Sequence, residues 1–291
     1  CVSLCFFFQA EDGIRDLVRS RGLGDVYKRQ IYGNVIYDEQ EQLFKMWYYA
    51  EEREGFPRLG LYYATSQDGV HWDKPLIGEV KSAKHPRHNV IAEGILLPSV
   101  MKDVHDPDPA RRYKMIGHNQ DAQDHGYHTW VSPDGIHWSL LRESAVITDG
   151  DFDSQNLAFW NPEQKRYSSF YRMGRSGVRD IMTTTSTDFV NWTKPEFLTY
   201  GDAPTEHLYT NAIQPYFRAP HLLVGFPTRF QPKHDQVEPI LMTSRDGRSI
   251  KRWPEPLIPI TAPQDRDGNR SNYMTWGLLT LPGQDRELSL Y

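Results

Sequence analysis

Two polar segments each precede a run of residues typical of a strand, and each combines an acid with groups that bind hydroxyls. The first segment is Asp153-Ser-Gln-Asn156, directly before Leu157–Trp160. The second is Glu206-His-Leu-Tyr-Thr-Asn211, before Ala212–Phe217. A carboxyl group can transfer a proton, and amide and imidazole groups hydrogen-bond to hydroxyls. This combination indicates a pocket for a sugar.

Other candidate ligand contacts lie near the ends of strands. Arg172 and Arg218 follow aromatic runs, and arginines that point inward bind a uronate or sulfate through paired hydrogen bonds. Salt bridges between neighbouring structural units are the alternative for both. Trp276 is a candidate for stacking on a sugar face, with core packing as its alternative. For Glu206 and His207, the alternative to a role in the sugar pocket is that they form a pair on a surface loop.

A short phrase recurs after the strand-like runs and indicates how the chain is organised. It begins with Ser, has Asp two residues later and ends on Trp. Asp suits a tight turn in which its carboxylate accepts backbone N–H groups, so these aspartates are predicted to be structural and each Trp to pack between units. The copies are about sixty residues apart, enough for a four-stranded blade with its loops. They are Ser66–Trp72, Ser132–Trp138, Ser186–Trp192 and a stretched Ser244–Trp253.

The runs between these phrases are short, alternate between apolar and polar residues, and are separated by Asn-Pro, Asp-Pro and Gly turns. This pattern predicts antiparallel strands, and no segment shows a helical stripe. The predicted fold class is all-β. Four repeats and a partial fifth from Tyr273 predict a five-bladed β-propeller, truncated in its N-terminal and C-terminal blades, over residues 31–291.

Residues 1–30 do not share the repeat pattern. They closely resemble translated sequencing-adaptor read-through and lack the features of a signal peptide, so we predict a non-native segment that is disordered or irregularly helical. Both cysteines, Cys1 and Cys5, lie in it, which leaves residues 31–291 without a disulfide framework. The native N-terminus would then be missing, so the location is undetermined, with a secreted or periplasmic protein favoured.

Composition limits the partners. The chain has 33 Lys+Arg and 38 Asp+Glu, a formal net charge of −5, which argues against a nucleic-acid partner. No apolar run approaches the length of a membrane span, so no membrane partner is predicted. The predicted partner is a carbohydrate substrate.

The repeats resemble the five-bladed propeller glycoside hydrolases, a superfamily that includes families 43, 32, 62 and 117 and the mannoside phosphorylases of family 130. Lys45-Met-Trp-Tyr48 carries this resemblance, as does Arg112-Tyr-Lys-Met115 after an Asp-Pro turn. The resemblance covers residues 31–291 and is specific to the superfamily rather than to one family. It implies a glycosidase that cleaves a polysaccharide or oligosaccharide with paired carboxylates at the propeller axis.

The resemblance also implies roles for individual acids. One carboxyl group protonates the departing sugar oxygen, and another activates water or attacks the anomeric carbon. The acid of the first blade would lie near or before Ile31, so we expect this fragment to lack it. The predicted set is catalytic Asp153, Asp103 and Glu206, and substrate-binding Gln155, Asn156, His207, Asn211, Arg172, Arg218 and Trp276, with Asp149 and Asp151 as competitors of Asp153.

Three other functions remain open at this point. A phosphorylase of the family 130 type would need an inward cluster of arginine and histidine to hold phosphate. A non-catalytic carbohydrate-binding propeller would bind sugar without cleaving it. A sialidase-like enzyme would need three arginines around one site.

No cofactor and no metal-binding residues are predicted. The histidines at 85, 88, 118, 125 and 128 lack the close ligand spacing of a zinc site. Some related propellers hold an axial ion, so a structural calcium ion remains open.

Overall fold

The computed structural model describes residues 3–4, 32–50, 60–81, 87–262, 272–284 and 286–290. Regular structure in these ranges is β-strand apart from one 3-10 turn at Pro109–Arg111, and no helix in them could cross a membrane. The strands are β1 (Ser3–Leu4), β2 (Tyr32–Asp38), β3 (Leu43–Ala50), β4 (Gly60–Ser66), β5 (Val90–Glu93), β6 (Ile95–Lys102), β7 (Tyr113–Asn119), β8 (His128–Ser132), β9 (Ser139–Leu140), β10 (Leu157–Asn161), β11 (Arg166–Arg175), β12 (Val178–Ser186), β13 (Glu196–Phe197), β14 (Gln214–Tyr216), β15 (Ala219–Gly225), β16 (Thr228–Gln231), β17 (Gln236–Ser244), β18 (Ile250–Pro256), β19 (Leu278–Leu279) and β20 (Glu287–Leu290).

Four antiparallel sheets follow one another along the chain as blades. Blade 1 has the order β2-β3-β4-β5, blade 2 has β6-β7-β8-β9, and blade 3 has β10-β11-β12-β13. In blade 4, β14 pairs with β15, and the long strand β17 pairs with β15, β16 and β18. The prediction of an all-β propeller is therefore confirmed.

The predicted number of five blades is not confirmed, since the described residues form four blades and one smaller sheet. In that sheet β19 pairs with β20, and β20 pairs in parallel with β1. The described residues after Tyr273 form two short strands, β19 and β20. Ser3–Leu4 is a strand, whereas the rest of the predicted non-native segment lies outside the described residues.

The first strands of the blades lie side by side around the axis. Asn34 in β2 exchanges two hydrogen bonds with the backbone of Val100 in β6, at 2.8 and 2.9 Å. The N–H of Ala158 in β10 donates to Ser99 Oγ at 3.3 Å. Asn34 also forms a parallel bridge with Trp276. The segments that precede these strands therefore meet at one end of the axis.

The repeated phrase forms the same turn in all four blades. In blade 2 the Ser132 hydroxyl donates to Asp134 Oδ1, which also accepts the N–H groups of Ile136 and His137 at 2.8 and 2.9 Å. Burial opposes ionisation of Asp134, but hydrogen bonds outweigh it and lower the pKa to about 2. Equivalent bonds form at the other three copies. The prediction that these aspartates are structural is confirmed.

The tryptophans of the phrase do not all pack between blades. Trp72, Trp138 and Trp192 are half-buried against hydrophobic clusters. Trp253 is 39% exposed, and the Lys251 ammonium lies 4.0 Å from its ring centroid. The stretched fourth copy thus keeps the turn but not the buried Trp.

Buried ion pairs at the far end of the inner strands join neighbouring blades. Asp38 of blade 1 pairs with Lys45 at 3.1 Å and accepts the phenol of Tyr113 from blade 2 at 2.8 Å. Burial opposes ionisation of Asp38, and hydrogen bonds from Lys102, Tyr113 and Lys45 outweigh it, so its pKa lies below the usual range. The corresponding group between blades 2 and 3 consists of Asp103, Lys114 and Tyr167.

Candidate functional site

The loop of residues 151–156 precedes the inner strand β10 and presents two acids. Asp151 and Asp153 are exposed, whereas Phe152 between them is fully buried. Phe152 has a φ of 56°, a left-handed conformation that costs a non-glycine residue about 1–3 kcal/mol. Its carbonyl accepts a hydrogen bond from His118 Nε2 at 2.9 Å. The anchored phenylalanine leaves both neighbouring carboxylates on the surface of the loop.

Two arginines lie on a hairpin that extends beyond the blade. Because β10 pairs only with the first half of β11, residues 171–181 of β11 and β12 form a hairpin extension. Its turn, Ser176-Gly177, has φ angles of 52° and 80°, as a two-residue hairpin requires. Gly174 pairs with Arg179, and Arg172 lies two residues before Gly174. Alternation along a strand therefore puts Arg172 and Arg179 on one face.

Arg172 and Asp153 form an ion pair between the hairpin extension and the loop. Arg172 is 4% exposed, while the side chain of Asp153 is 61% exposed. The Nε and Nη1 atoms of Arg172 are buried without a hydrogen-bond partner among the described residues. Its guanidinium lies 4.8 Å from the ring centroid of Tyr209. The arginine thus holds the carboxylate and retains unused donors.

Buried hydroxyls close to this ion pair also lack partners in the described part of the chain. They are Ser154 Oγ and the phenols of Tyr127 and Tyr171. Burial raises the pKa of Tyr127 well above its usual value, and Asp153 raises it further while Arg172 opposes this effect. Buried polar groups in folded proteins are nearly always hydrogen-bonded, so these three hydroxyls are exceptions to that rule.

Three tyrosines lie beside the ion pair. The rings of Tyr32 and Tyr273 are 6.5 Å apart, and those of Tyr209 and Tyr273 are 6.1 Å apart. Burial raises the pKa of the Tyr32 phenol. The neighbouring groups Tyr273, Tyr209 and Asp153 raise it further, whereas Arg172 lowers it. These groups are therefore within electrostatic reach of one phenol, at the end of the axis where the inner strands begin.

His207 contributes a neutral imidazole. The backbone N–H of Arg179 donates to its Nδ1 at 3.2 Å. Burial, and then the charge of Arg179, lower the pKa of His207. The ring is therefore neutral near pH 7, and its proton is on Nε2 because Nδ1 is the acceptor. His207 can donate a hydrogen bond to a ligand from Nε2.

Asp153, Arg172 and His207 line one pocket of about 440 Å³, a volume within the range of small-molecule sites. Both strands of the hairpin extension, the loop of residues 151–156 and the segment before β14 contribute to its wall. Its charged and imidazole-bearing lining residues are Asp151, Asp153, Arg172, Arg175, Arg179 and His207.

The structure brings three of the ten predicted site residues together in this pocket, namely Asp153, Arg172 and His207. They come from two blades and from segments far apart in the sequence. Asp151, a competitor of Asp153 in the sequence, lies in the same pocket, where its Oδ2 accepts the N–H of Gly174 at 2.6 Å.

Asp103 does not lie at this end of the axis. It accepts the phenol of Tyr167 at 2.6 Å, and Tyr167 pairs with Trp160 near the end of β10. Asp153 instead precedes the first residue of β10, which has 5 residues. A strand of that length spans about 16 Å, whereas paired glycosidase carboxylates are about 5–10 Å apart. The prediction that Asp103 and Asp153 share a site is therefore wrong.

Glu206 is engaged in ion pairs instead of facing the pocket as a free acid. It pairs with Arg229 at 3.2 Å and with Arg252 at 3.2 Å. Asn211 is buried, and its amide donates to the carbonyl of Phe170 at 3.2 Å. Both predicted site residues therefore have structural partners that hold blade 4 in place.

Four remaining predictions also differ from the structure. Gln155 donates to the Gly33 carbonyl at 2.6 Å, and Asn156 accepts the N–H of Arg172 at 2.9 Å. Both side-chain amides therefore form hydrogen bonds with the backbone instead of binding a ligand. Trp276 is buried and donates to the Ile213 carbonyl at 2.9 Å, which makes it a core residue. Arg218 lies on the exposed β14–β15 turn, away from the pocket.

Sequence reasoning missed Arg179, Tyr32, Tyr209 and Tyr273. The signal for Arg179 was the Ser176-Gly177 turn, since a two-residue hairpin there fixes which residues face one another. No comparable signal identified the tyrosines, because their proximity depends on how the blades are arranged around the axis.

Within the described ranges, no group of three or more histidine, cysteine, aspartate or glutamate side chains is arranged to hold a metal ion. Of the histidines considered as ligands, His85 lies outside the described residues. His88 hydrogen-bonds to the Val80 carbonyl at 2.8 Å, and His128 to Asp124 at 3.1 Å.

Known structures share this fold at low sequence identity. An endo-arabinase from Bacteroides thetaiotaomicron has a TM-score of 0.52 and 13% identity, over 79% of this chain and 81% of its own. An α-L-arabinofuranosidase from Clostridium thermocellum has a TM-score of 0.55 and 8% identity, over 87% and 80%. An N-acetylgalactosamine deacetylase from F. plautii has a TM-score of 0.56 and 12% identity, over 81% and 73%.

No family model matches the sequence, and no curated protein matches it. The structural neighbours include family 43 glycoside hydrolases, and at this level of identity the likeness shows a shared fold alone. Because one neighbour is a deacetylase, the fold alone does not define the reaction.

Proposed function

We propose that this chain is a glycoside hydrolase that cleaves glycosidic bonds of a polysaccharide or oligosaccharide. The observation that carries the proposal is that two carboxylates, Asp151 and Asp153, line one polar pocket with arginine and histidine donors. The pocket lies at the end of the propeller axis where the inner strands begin. Glycosidase chemistry requires two such carboxylates on either side of the scissile bond.

The surroundings of the two acids suggest different roles. Asp153 is held by the buried Arg172, which fixes the position of its carboxylate. We therefore assign Asp153 as the group that takes a proton from water or attacks the anomeric carbon. Asp151 is then the second carboxyl group, which protonates the departing glycosidic oxygen. The products are two free hydroxyl-bearing sugars.

The experiment is a release assay on the full chain. Plant and algal polysaccharides and their oligosaccharides are incubated with the protein in phosphate-free buffer, and new reducing ends are measured. We expect release from at least one glycan. The rate of release should fall by about 100-fold or more in Asp151→Asn, because a proton donor has been removed.

Asp149→Asn is the matched control, since Asp149 is an exposed acid near the same loop and does not line the pocket. Its rate should stay within about threefold of wild type, as expected for a surface substitution. Absence of release from every glycan by the wild-type chain would contradict the proposal. Sugar binding without release would favour a non-catalytic binding propeller.

A phosphorylase is the second candidate, because a phosphate-binding cluster needs arginine and histidine in one place. Arg172, Arg175, Arg179 and His207 all line the pocket. Under this alternative, cleavage would depend on added phosphate and would yield a sugar phosphate. The same release assay with and without phosphate distinguishes the two reactions.

A further inference from the structure

Arg179 differs from the other arginines of the pocket in lacking an acidic partner. Its guanidinium lies 4.6 Å from the ring centroid of Tyr209 and 6.0 Å from that of Phe230. Among the described residues it forms no ion pair. By contrast, Arg172 pairs with Asp153, and Arg175 pairs with Asp180. Arg179 is therefore a half-buried cation that lines the pocket without a compensating charge.

Arg172 adds unused donors on the same face of the hairpin extension. Its Nη2 is taken by Asp153, but Nε and Nη1 are buried without partners in the described part of the chain. Arg172 and Arg179 are diagonal neighbours across β11 and β12, since Arg179 pairs with Gly174. Gly174 has no side chain that could separate the two guanidinium groups. Both also approach the ring of Tyr209.

We propose that this pocket recognises an acidic sugar, whose carboxylate is bound by Arg179 together with the unused donors of Arg172. The inference rests on the proposed function and specifies its substrate class as a uronate-containing glycan. Planar guanidinium groups match the geometry of a carboxylate with two parallel hydrogen bonds. His207 Nε2 supplies a further donor beside them.

A neutral sugar accounts less well for these groups. Asp151 and Asp153 can accept hydrogen bonds from sugar hydroxyls, but an uncompensated Arg179 has no counterpart in a neutral ligand. Burying a cation without a partner is unfavourable, so a ligand that supplies negative charge at this position is favoured.

Free phosphate also fits less well than a sugar carboxylate. Phosphate near pH 7 carries up to two negative charges, and it would share the pocket with Asp151 and Asp153. A uronate carries one charge at a fixed position on the ring, so it can place that charge near Arg179 and its hydroxyls near the two carboxylates. Like-charge repulsion is then smaller.

The test measures binding of monosaccharides by calorimetry, which does not depend on turnover. Galacturonate and glucuronate are compared with galactose and glucose, at low and at high salt. We expect at least one uronate to bind at least tenfold more tightly than its neutral counterpart, with weaker binding at high salt. Arg179→Gln should reduce uronate affinity at least tenfold, and Arg179→Lys should reduce it less.

Arg248→Gln is the matched control, because Arg248 forms an exposed ion pair with Glu196 outside the pocket. It should leave uronate affinity unchanged. Equal binding of neutral and acidic sugars, absence of binding, or an unchanged affinity in Arg179→Gln would each overturn the inference. Binding of inorganic phosphate but not of uronate, lost in Arg179→Gln, would overturn it in favour of a phosphate site. Uronate binding without any glycan cleavage would support the inference while contradicting the proposed hydrolase.

Discussion

The phenol of Tyr167 in blade 3 donates a hydrogen bond to the carboxylate of Asp103 in blade 2, at 2.6 Å. Both groups are buried, and Lys114 completes the arrangement at 2.5 Å from the same carboxylate. Tyr113 and Asp38 repeat the relationship between blades 1 and 2. The Tyr-Lys-Met run of blade 2, which carried the superfamily resemblance, therefore supplies an inter-blade contact rather than a catalytic one.

Removal of the Tyr167 hydroxyl should destabilise the propeller. Tyr167→Phe leaves a buried carboxylate with one donor fewer, and a hydrogen bond to a charged group contributes about 1.5–3 kcal/mol. We expect a loss of that size in the free energy of unfolding, measured by urea denaturation. Tyr216→Phe is the control, because the Tyr216 ring packs on Phe217 and the hydrophobic core, and its hydroxyl forms no hydrogen bond with the described residues. A loss below about 0.5 kcal/mol for Tyr167→Phe would contradict the inter-blade role.

Two glycines at the same position of the repeated turn should respond differently to alanine. Gly135 and Gly247 have φ angles of 82° and 76°, so each substitution incurs about 1 kcal/mol of backbone strain. A Cβ on Gly135 would also lie 2.7 Å from the ring of Trp47, whereas the nearest atom to a Cβ on Gly247 is 3.6 Å away. Overpacking adds about 1–3 kcal/mol, so Gly135→Ala should be the more destabilising.

Thermal unfolding of both variants checks this order. Trp47 is fully buried and donates to the Gly135 carbonyl at 2.7 Å, which limits how far its ring can move. Equal midpoints for the two variants would mean that the turn between blades 1 and 2 relaxes freely.

The turn aspartates should make stability depend on acid pH. In Asp134, Asp188 and Asp246, burial opposes ionisation, but hydrogen bonds outweigh it and lower each pKa to about 2. The unfolded chain has an aspartate pKa of about 3.9, so it binds more protons between these values. The stabilising contribution is therefore present above pH 4 and is lost as the pH falls towards 2.

Urea midpoints measured from pH 5 to pH 2 test this dependence. The wild-type midpoint should fall over that window, and Asp134→Asn should reduce the slope because one titrating group is gone. Asp121→Asn serves as the control, since Asp121 is an exposed aspartate outside the repeated turn. An identical slope in Asp134→Asn would show that the turn carboxylate is not held in its ionised form.

The strands of blades 1 to 4 could be predicted because each follows from a local pattern. Alternation of apolar and polar residues and the Ser-x-Asp turn both lie within a few residues of the strand that they define. The number of blades could not be predicted from a partial repeat. The segment from Tyr273 begins like the others, but its Trp276 packs in the core, and two short strands follow it in the part of the chain that the structure describes.

The site was only partly predictable, because a side chain's partner is set by distant residues. Asp153 and Arg172 were found individually, and the structure pairs them. Glu206 has the same local feature as Asp153, because each is an acid that precedes a strand. In the structure, however, Glu206 forms ion pairs with Arg229 and Arg252. Nothing near Glu206 in the sequence indicates those two ion pairs. The position of an acid before a strand therefore indicated less about whether it belongs to the site than the ion-pair partner that it has in the structure.

The most direct test of the proposed active site compares Asp153→Asn with Asp103→Asn on a glycan that the wild type cleaves. Asp153→Asn should lower kcat by about 100-fold to 10,000-fold, since it removes a catalytic carboxylate. Asp103→Asn should lower the free energy of unfolding by about 3 kcal/mol, because it breaks a buried ion pair with Lys114. At a temperature where this variant is folded, its kcat should match wild type. Near-normal kcat in Asp153→Asn, or loss of kcat in folded Asp103→Asn, would contradict the assignment of the active site to the Asp153 end of the propeller axis.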